Sequence, residues 1–263
     1  MSAIRIGDIS MYYEVYGDGE PLLLINGLGL DSSFWMPQVS VFSQKYRVIV
    51  FDNRGVGQTD APEVSYTTDM MADDTIMLLD HLSIARTNIL GFSMGGLIAQ
   101  KIAIKYPERV NSMILASTAA ELSPKAKQII SVWRRMLQEK INPETYLRQQ
   151  FLWVFTDRFL ANDEQVSSLV DIFLRHPFAQ TLHGFSGQAN ACLEHNTSNQ
   201  LQQINIPTLI LVGSEDIFIP VHLSKELANG IKNAELIILK DGGHGFCSEL
   251  AEKFNQTVLN FLD

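Results

Sequence analysis

Short apolar runs alternate with segments of helical spacing along most of the chain. The runs at residues 21–25 and 47–51 are almost continuously apolar, which is typical of strands buried on both faces of a parallel sheet. The segments at residues 33–43 and 68–82 place apolar side chains three or four positions apart, as amphipathic helices do. From residue 21 onward the pattern therefore predicts a parallel sheet covered by helices on both faces.

The same pattern extends to both ends of the chain. Aromatic and β-branched residues alternate with polar ones over residues 3–16, which predicts two short strands before a glycine turn. A further strand is predicted at residues 110–116. After residue 203 the alternation resumes, with strands predicted at residues 207–213 and 234–239 and helices at residues 221–229 and 246–262.

The segment at residues 121–203 differs from the rest. Its apolar residues have helical spacing, its prolines separate the predicted helices, and it contains many large aromatic side chains. No strand of the βα type interrupts it. It carries eight acidic and eight basic residues, so the net charge of the chain resides on the remainder. We interpret it as a helical insertion, residues 121–203, in a core domain made of residues 1–120 and 204–263.

Composition narrows the class of protein. The chain has 263 residues, 46% hydrophobic residues and a net charge of −9, which suits one large domain and argues against nucleic acid or an anionic membrane as a partner. It has no apolar run of the roughly 20 residues that a spanning helix needs, and its start lacks a signal-peptide core. We expect a cytoplasmic protein, and two cysteines are too few for a disulfide framework.

One motif supplies candidate chemistry. Gly91-x-Ser93-x-Gly95 stands between a predicted strand and a helix rich in small residues, the context of a nucleophile elbow. A strand that reverses sharply into a helix brings positions two before and two after the bend close together, so only glycine fits there. The bend forces the central residue toward positive φ and exposes its hydroxyl at a helix N-terminus. Ser93 is therefore the candidate nucleophile.

The candidate base and acid come from loops after later strands. Of six histidines, only His244 lies in a glycine-rich loop just past a strand. Glu215 and Asp216 both follow the strand at residues 207–213, and the shorter Asp216 is preferred. The resulting order of serine, aspartate and histidine is the one expected for this elbow. His176, His183 and His195 lie in the insertion and are weaker candidates for lining a pocket.

An oxyanion hole needs two backbone donors. The residue after the nucleophile provides one, the N–H of Met94, and the loop after the first parallel strand provides the other, the N–H of Leu28 between two glycines. The motif Asp52-x-Arg54-Gly55-x-Gly57 lies at the same sheet edge, and we interpret it as a charge-assisted network that pins its loop.

These segments together resemble the α/β-hydrolase superfamily, and within it the small capped esterases grouped around oxoadipate enol-lactonase. The resemblance spans essentially the whole chain. It implies an eight-stranded, mostly parallel sheet, a helical cap inserted after strand six, and no cofactor or metal. Many members have His-Gly where this chain has Asn26-Gly27. The matching segments are residues 25–29, 52–57, 91–96, 213–216 and 243–244.

The sequence therefore predicts a serine hydrolase that cleaves a carboxylic ester or lactone of a small organic acid through an acyl-enzyme. Substrate choice is expected to depend on the cap, where the aromatic side chains favour an apolar acyl group and an arginine could meet a substrate carboxylate. The candidate substrate-binding residues are Trp133, Arg134, Arg135 and Trp153.

Other activities fit the same residues. A carbon–carbon bond hydrolase or a perhydrolase would use the same triad, and a small-ligand receptor could keep it without turnover. A dehalogenase or epoxide hydrolase would need aspartate in place of Ser93. The sequence leaves open whether the protein is a monomer or a dimer.

Overall fold

Eight strands form one sheet, as the apolar runs predict. The computed structural model describes residues 2–263, and the strand order across the sheet is β1-β2-β4-β3-β5-β6-β7-β8. Only β2 runs antiparallel to its neighbours, β1 and β4. The strands are β1 Ser2–Ile6, β2 Ile9–Tyr16, β3 Glu20–Ile25, β4 Tyr46–Phe51, β5 Thr87–Phe92, β6 Val110–Ala116, β7 Thr208–Gly213 and β8 Ala234–Leu239.

The middle of the sheet is its most apolar part. Leu23 of β3 pairs with Ile49 of β4 on one side and with Ile89 of β5 on the other. Every residue of β5 and of β7 is buried, because helices cover both faces and only the backbone hydrogen bonds lie in the sheet plane. The edge strand β8 is less protected, and its Ile238 is 41% exposed.

Eleven α-helices surround this sheet within the described residues. Those that the sequence predicts between the strands are present, and the helix predicted at residues 33–43 begins as a 3₁₀ turn at Ser32–Trp35. The helices are α1 Met36–Phe42, α2 Thr68–His81, α3 Met94–Lys105, α4 Pro124–Gln138, α5 Pro143–Val154, α6 Asp157–Leu160, α7 Asp163–Leu174, α8 Leu182–Glu194, α9 Val221–Gly230, α10 Phe246–Glu249 and α11 Ala251–Leu262.

The five helices α4 to α8 lie between β6 and β7, where the sequence predicts the helical insertion. Their starts are set by polar caps. The side chains of Ser123, Asn142 and Thr181 each accept a hydrogen bond from a backbone N–H in the first turn of α4, α5 and α8. Such caps satisfy donors that a helix leaves unpaired. We call α4 to α8 the cap.

Two apolar clusters cover the two faces of the sheet. The larger one joins side chains of α2 and α3 to side chains of the cap, including Trp133 and Phe185. The smaller one joins α1 to α11 through residues such as Phe42 and Phe254. The cap therefore packs onto the face that α2 and α3 cover. Within residues 2–263, the helices are all too short or too polar to cross a membrane.

The prediction of one final helix over residues 246–262 is wrong in detail. Leu250, at φ −126° and ψ 38°, separates α10 from α11. Glu249 at the end of α10 accepts a hydrogen bond from the backbone of Gly243, whereas Phe254 and Val258 of α11 pack in the core. The segment that the apolar spacing predicts as one helix therefore consists of two helices, one held by the hydrogen bond of Glu249 and the other by packing in the core.

A buried histidine joins the cap to the helix that follows Ser93. Thr197 Oγ1 donates to Gln100 Oε1 at 2.6 Å and lies 3.4 Å from His195 Nε2, and His195 Nδ1 lies 2.9 Å from Thr68 Oγ1. Because the single hydroxyl proton of Thr197 goes to Gln100, His195 donates through Nε2 and accepts through Nδ1. Gln100 in turn donates to the carbonyl of Gly96. His195 is therefore part of the packing and does not line a pocket.

This histidine makes stability depend on pH. Burial, together with the charge of Lys101, lowers the pKa of His195 from 6.5 to about 3. Between these values the unfolded chain binds a proton that the folded protein does not, so folding weakens as pH falls below 6.5. In a His195→Gln variant, this contribution of histidine protonation to the free energy of unfolding is absent. The difference in the free energy of unfolding between wild type and variant should therefore decrease by about 2 kcal/mol as the pH falls from 7 to 5. Urea unfolding at both pH values measures it, and an equal gap at the two would contradict the prediction.

Candidate active site

The turn between β5 and α3 holds Ser93 in a strained conformation. Its φ is 53° and its ψ is −115°, in a region that residues other than glycine rarely adopt. Ser93 occupies the cap position of α3, but its hydroxyl makes no capping hydrogen bond. Its backbone N–H instead donates to the carbonyl of Ala116 at 2.8 Å. The hydroxyl is therefore left available at the carboxyl edge of the sheet.

Two glycines make this turn possible. A Cβ on Gly91 would lie 2.4 Å from the carbonyl oxygen of Gly95. A Cβ on Gly95 would lie 2.1 Å from the carbonyl oxygen of Ile25, at the end of β3. Both distances are far below a van der Waals contact, and backbone atoms cannot move aside. The expected close approach across the elbow is thus present.

The three side chains predicted from distant segments lie in one hydrogen-bonded row. His244 Nε2 is 3.1 Å from Ser93 Oγ, and His244 Nδ1 is 2.9 Å from Asp216 Oδ2. His244 and Asp216 are each only 4% exposed. In this geometry the imidazole can take the proton of the serine hydroxyl while the carboxylate holds the opposite ring nitrogen.

The surroundings fix both the carboxylate and the ring. The second oxygen of Asp216 accepts hydrogen bonds from the backbone N–H groups of Phe218 and Ile219, at 3.0 and 2.7 Å. The rings of Phe92 and Phe218 flank the imidazole of His244, with centroids 5.2 and 4.9 Å away. Glu215, the other candidate acid, is exposed to solvent. The structure therefore brings Asp216, and not Glu215, to the histidine.

The two predicted oxyanion donors lie beside the serine. Leu28 and Met94 both line the cavity at Ser93. Among residues 2–263, neither of their backbone N–H groups has a hydrogen-bond acceptor. Met94 opens α3, where the helix dipole favours negative charge. Both N–H groups are therefore available to stabilise the oxyanion that would form if Ser93 Oγ attacked a carbonyl carbon.

A narrow cavity leads away from the serine. It is partly enclosed and partly open to solvent. Apart from Ser93, the lining residues that carry a hydroxyl group are Ser117 and Thr118, and no lining side chain carries a charge. Burial raises the pKa of the Cys192 thiol to about 12, so the thiol stays protonated at neutral pH. The lining residues are Leu28, Ser93, Met94, Leu97, Ser117, Thr118, Leu122, Ile130, Cys192, Phe218 and Ile219.

The four cap residues expected to bind substrate are not among the residues that line this cavity. Trp133 is buried behind Phe218, with ring centroids 5.2 Å apart. Trp153 packs under the ammonium group of Lys125. The two arginines bind other side chains: Arg134 donates to Asn190 at 2.9 Å, and Arg135, with a side chain 73% exposed, pairs with Glu139. Neither arginine is among the residues that line this cavity, and the expectation that one of them meets a substrate carboxylate stays a prediction.

Asn26, the residue that directly follows β3, is not among the residues that line the cavity. It is fully buried, and its amide nitrogen donates to the carbonyl of Phe51 at 3.2 Å, which ties the end of β3 to β4. Its amide oxygen has no partner among the described residues. The side chain therefore supports the sheet edge beneath residues 27–31, the loop that contains the predicted donor Leu28 and that we call the oxyanion loop.

The loop that begins at Asp52 contains the expected charge network. Asp52 accepts hydrogen bonds from the backbone N–H groups of Ser32 and Gln58, at 2.7 and 2.8 Å. Burial nevertheless raises the pKa of Asp52. Arg54 makes two hydrogen bonds to the buried carboxylate of Asp74, at 2.6 and 2.8 Å. The motif is thus structural, as predicted.

Comparisons with known proteins agree with the fold. The model of the α/β-hydrolase fold family matches residues 20–249. The chain belongs to the α/β-hydrolase family. It is 32% identical to 3-oxoadipate enol-lactonase 2 of Acinetobacter baylyi, with 95% of this chain and 92% of the relative covered. It is 31% identical to "Putative carbamate hydrolase RutD" of Stutzerimonas stutzeri, with 96% of each covered.

A solved structure gives the same result. The enol-lactonase from Burkholderia xenovorans LB400 superimposes with a TM-score of 0.88 at 27% identity, over 99% of this chain and 99% of that one. The resemblance found in the motifs is thereby confirmed, together with the α/β-hydrolase fold. These likenesses extend through the cap, since the matched region includes all of α4 to α8.

In this α/β hydrolase, the cap is tied to the candidate site at two places. Glu249 accepts hydrogen bonds from the backbone N–H of Gly243, beside His244, and from the N–H and hydroxyl of Thr156 in the cap. On the other side of the site, Gln188 of α8 accepts from the backbone N–H of Gly29 at 3.0 Å and donates to the carbonyl of Arg54 at 2.9 Å. The histidine loop and the oxyanion loop thus both bind cap residues.

Sequence reasoning missed these tie residues and most of the cavity lining. Ser117 and Thr118 could have been found, because they directly follow β6 at the edge where Ser93 lies. No local signal identifies Gln188, since its role depends on how α8 packs across two loops distant in sequence.

The tie through Gln188 should contribute measurably to stability. Gln188→Leu removes the partners of the Gly29 N–H and the Arg54 carbonyl from a buried position. An unpaired buried polar group typically costs about 1–3 kcal/mol, so we expect a loss of that size in urea unfolding. Gln202→Leu is a control, because that side chain is exposed and its one hydrogen bond is local. Equal stability of the two variants would show that Gln188 does not hold the loops.

Proposed function

We propose that the protein is a serine hydrolase that cleaves a carboxylic ester or lactone of a small organic acid. One observation carries this proposal: Ser93, His244 and Asp216 form a hydrogen-bonded row, with 3.1 and 2.9 Å between successive side chains, at a strained elbow. Strained residues that present a hydroxyl to a buried base are typical of nucleophilic catalysis.

Acylation would begin at the serine. His244 Nε2 takes the proton of Ser93 Oγ as this oxygen attacks the substrate carbonyl carbon. The carbonyl oxygen gains the negative charge, which the N–H groups of Leu28 and Met94 would stabilise. As the tetrahedral intermediate collapses, the ester C–O bond breaks and His244 gives its proton to the leaving alkoxide. Asp216 stabilises the imidazolium throughout and stays ionised.

Deacylation repeats these steps with water. His244 removes a proton from a water molecule as its oxygen attacks the acyl carbon bound to Ser93 Oγ. The same two N–H groups would hold the second oxyanion. Collapse breaks the bond to Ser93 Oγ, and the proton returns from His244 to the serine, which releases the carboxylic acid. A lactone would follow the same route, with the alcohol and the acid leaving as one molecule.

The ester or lactone assignment rests on the site and on the named relatives. The lining of the cavity is mainly apolar, as expected for a small organic acyl group. Two of the relatives are named enol-lactonases, and an enol-lactone is a cyclic ester. These names belong to the relatives, and they support a carboxylic ester bond as the reacting group in this chain.

A carbamate is the second candidate substrate, because the Stutzerimonas stutzeri relative carries that name at 31% identity. The carbonyl carbon of a carbamate is bonded to both a nitrogen and an oxygen, which makes it less reactive than that of an ester. The attack by Ser93 would be the same. Turnover of ethyl carbamate and of ethyl butanoate, each followed by product formation with the same enzyme preparation, discriminates between the two.

Replacing the candidate nucleophile should abolish turnover. In a serine hydrolase the loss of this hydroxyl costs on the order of 10⁶ in rate, so Ser93→Ala should show no hydrolysis of p-nitrophenyl esters above background. A fluorophosphonate probe should label the wild type at Ser93 and leave the variant unlabelled. Ser198→Ala is the matched control, because Ser198 is exposed and is not among the residues that line the cavity. A purified Ser93→Ala variant that kept a tenth of the wild-type activity would disprove the assignment.

A further inference from the structure

Two hydroxyl groups stand beside Ser93 at the end of the neighbouring strand. Phe92 of β5 pairs with Ala116 of β6, so Ser93 and Ser117 are the next residues on adjacent parallel strands. Ser117 has a φ of 44°, which turns the chain sharply where β6 ends. Thr118 follows and packs against α3, since a Cβ on Gly96 would lie 2.5 Å from its side chain. Both residues line the cavity at the serine.

Neither hydroxyl has a hydrogen-bond partner within residues 2–263. Ser117 is 0% exposed and Thr118 is 1% exposed, and their oxygens are both buried without an acceptor or donor in reach. Buried hydroxyls in folded proteins nearly always find a partner, and an exception calls for a specific explanation. Because both residues line the same cavity, a ligand oxygen that enters it is positioned to become the partner that these hydroxyls lack.

The remaining lining limits what that ligand carries. Beyond the two hydroxyls the cavity wall is mainly apolar, with Leu97, Leu122 and Ile130 among its residues, and it holds no cationic side chain. The thiol of Cys192 is neutral. A carboxylate in such a place would lose its hydration without gaining an opposite charge, which is strongly unfavourable. An uncharged oxygen needs only the hydrogen bonds that two hydroxyls can supply.

We propose that Ser117 and Thr118 bind an uncharged oxygen of the substrate's acyl group, close to the reacting carbonyl. The preferred substrates are then esters of short, neutral acids that carry a hydroxyl or oxo group, and esters of dicarboxylic acids are poor substrates. This inference rests on the proposed function, because it assigns the acyl group of the same reaction.

Four ethyl esters test it. Ethyl butanoate lacks the extra oxygen, and each enantiomer of ethyl 3-hydroxybutanoate supplies it. Monoethyl butanedioate has a carboxylate in place of the terminal methyl group of ethyl butanoate. Acid release in a pH-stat gives kcat/KM for each. We expect kcat/KM of the better 3-hydroxy enantiomer to exceed that of ethyl butanoate by about tenfold, as one added hydrogen bond allows, and monoethyl butanedioate to be the poorest substrate of the four.

The decisive comparison uses the double variant Ser117→Ala/Thr118→Val, in which both hydroxyls are removed and the side-chain volumes are nearly kept. The ratio of kcat/KM for 3-hydroxybutanoate to that for butanoate should fall from about ten to about one. Ser198→Ala should keep the wild-type ratio, since it lies outside the cavity lining. A ratio that the double variant leaves unchanged overturns the proposal while ester hydrolysis by Ser93 still stands.

Two further outcomes are informative. The double variant should unfold at the same or a higher urea concentration than the wild type, because it loses hydroxyls that have no partner in the folded protein. A clearly lower midpoint would mean that the hydroxyls are bonded within the protein, which overturns the proposal. If the wild type hydrolyses none of the esters and its Ser93 is not labelled by fluorophosphonate, the proposed function fails and this inference fails with it.

Discussion

The reversal of the chain at Ser93 is the constraint on which the rest of the structure depends. The carbonyl of Ile25 and the backbone of Gly95 approach so closely that no side chain fits between β3 and the start of α3. Because of this contact, the hydroxyl of Ser93, the oxyanion loop after β3 and the first turn of α3 share one small volume. A backbone that is strained at φ 53° persists only because the sheet on both sides holds it. The three parallel strands β3, β5 and β6 supply that support.

The remaining parts of the site are attached to this edge from outside. Asp216 is held by two backbone N–H groups of its own loop, so its carboxylate is oriented before it meets His244. The histidine loop is bound through Glu249 to Thr156, and the oxyanion loop through Gln188 to α8. The cap therefore does more than cover the cavity. Since it bonds to loops on both sides of Ser93, a movement of α8 would also move the backbone beside Leu28.

How much the sequence predicts depends on the kind of signal. The triad residues follow buried strands, and all carboxyl ends of parallel strands meet at one edge, so local patterns suffice to place Ser93, Asp216 and His244 together. The side chains of the cap were not predictable in this way. Arg134 and Arg135 are adjacent in sequence, but one bonds to Asn190 inside the cap and the other points to solvent. Which face of a helix turns inward depends on its packing partners, and these lie far away in sequence.

The cavity shows what this difference means for specificity. Its polar groups, Ser117 and Thr118, come from the rigid sheet edge, whereas its apolar wall comes partly from the cap through Ile130 and Cys192. A hydrogen bond has a narrow range of useful distances, but apolar contact tolerates shifts of the wall. Fixed strands are therefore suited to select the polar atoms of an acyl group, and the cap is suited to set its length.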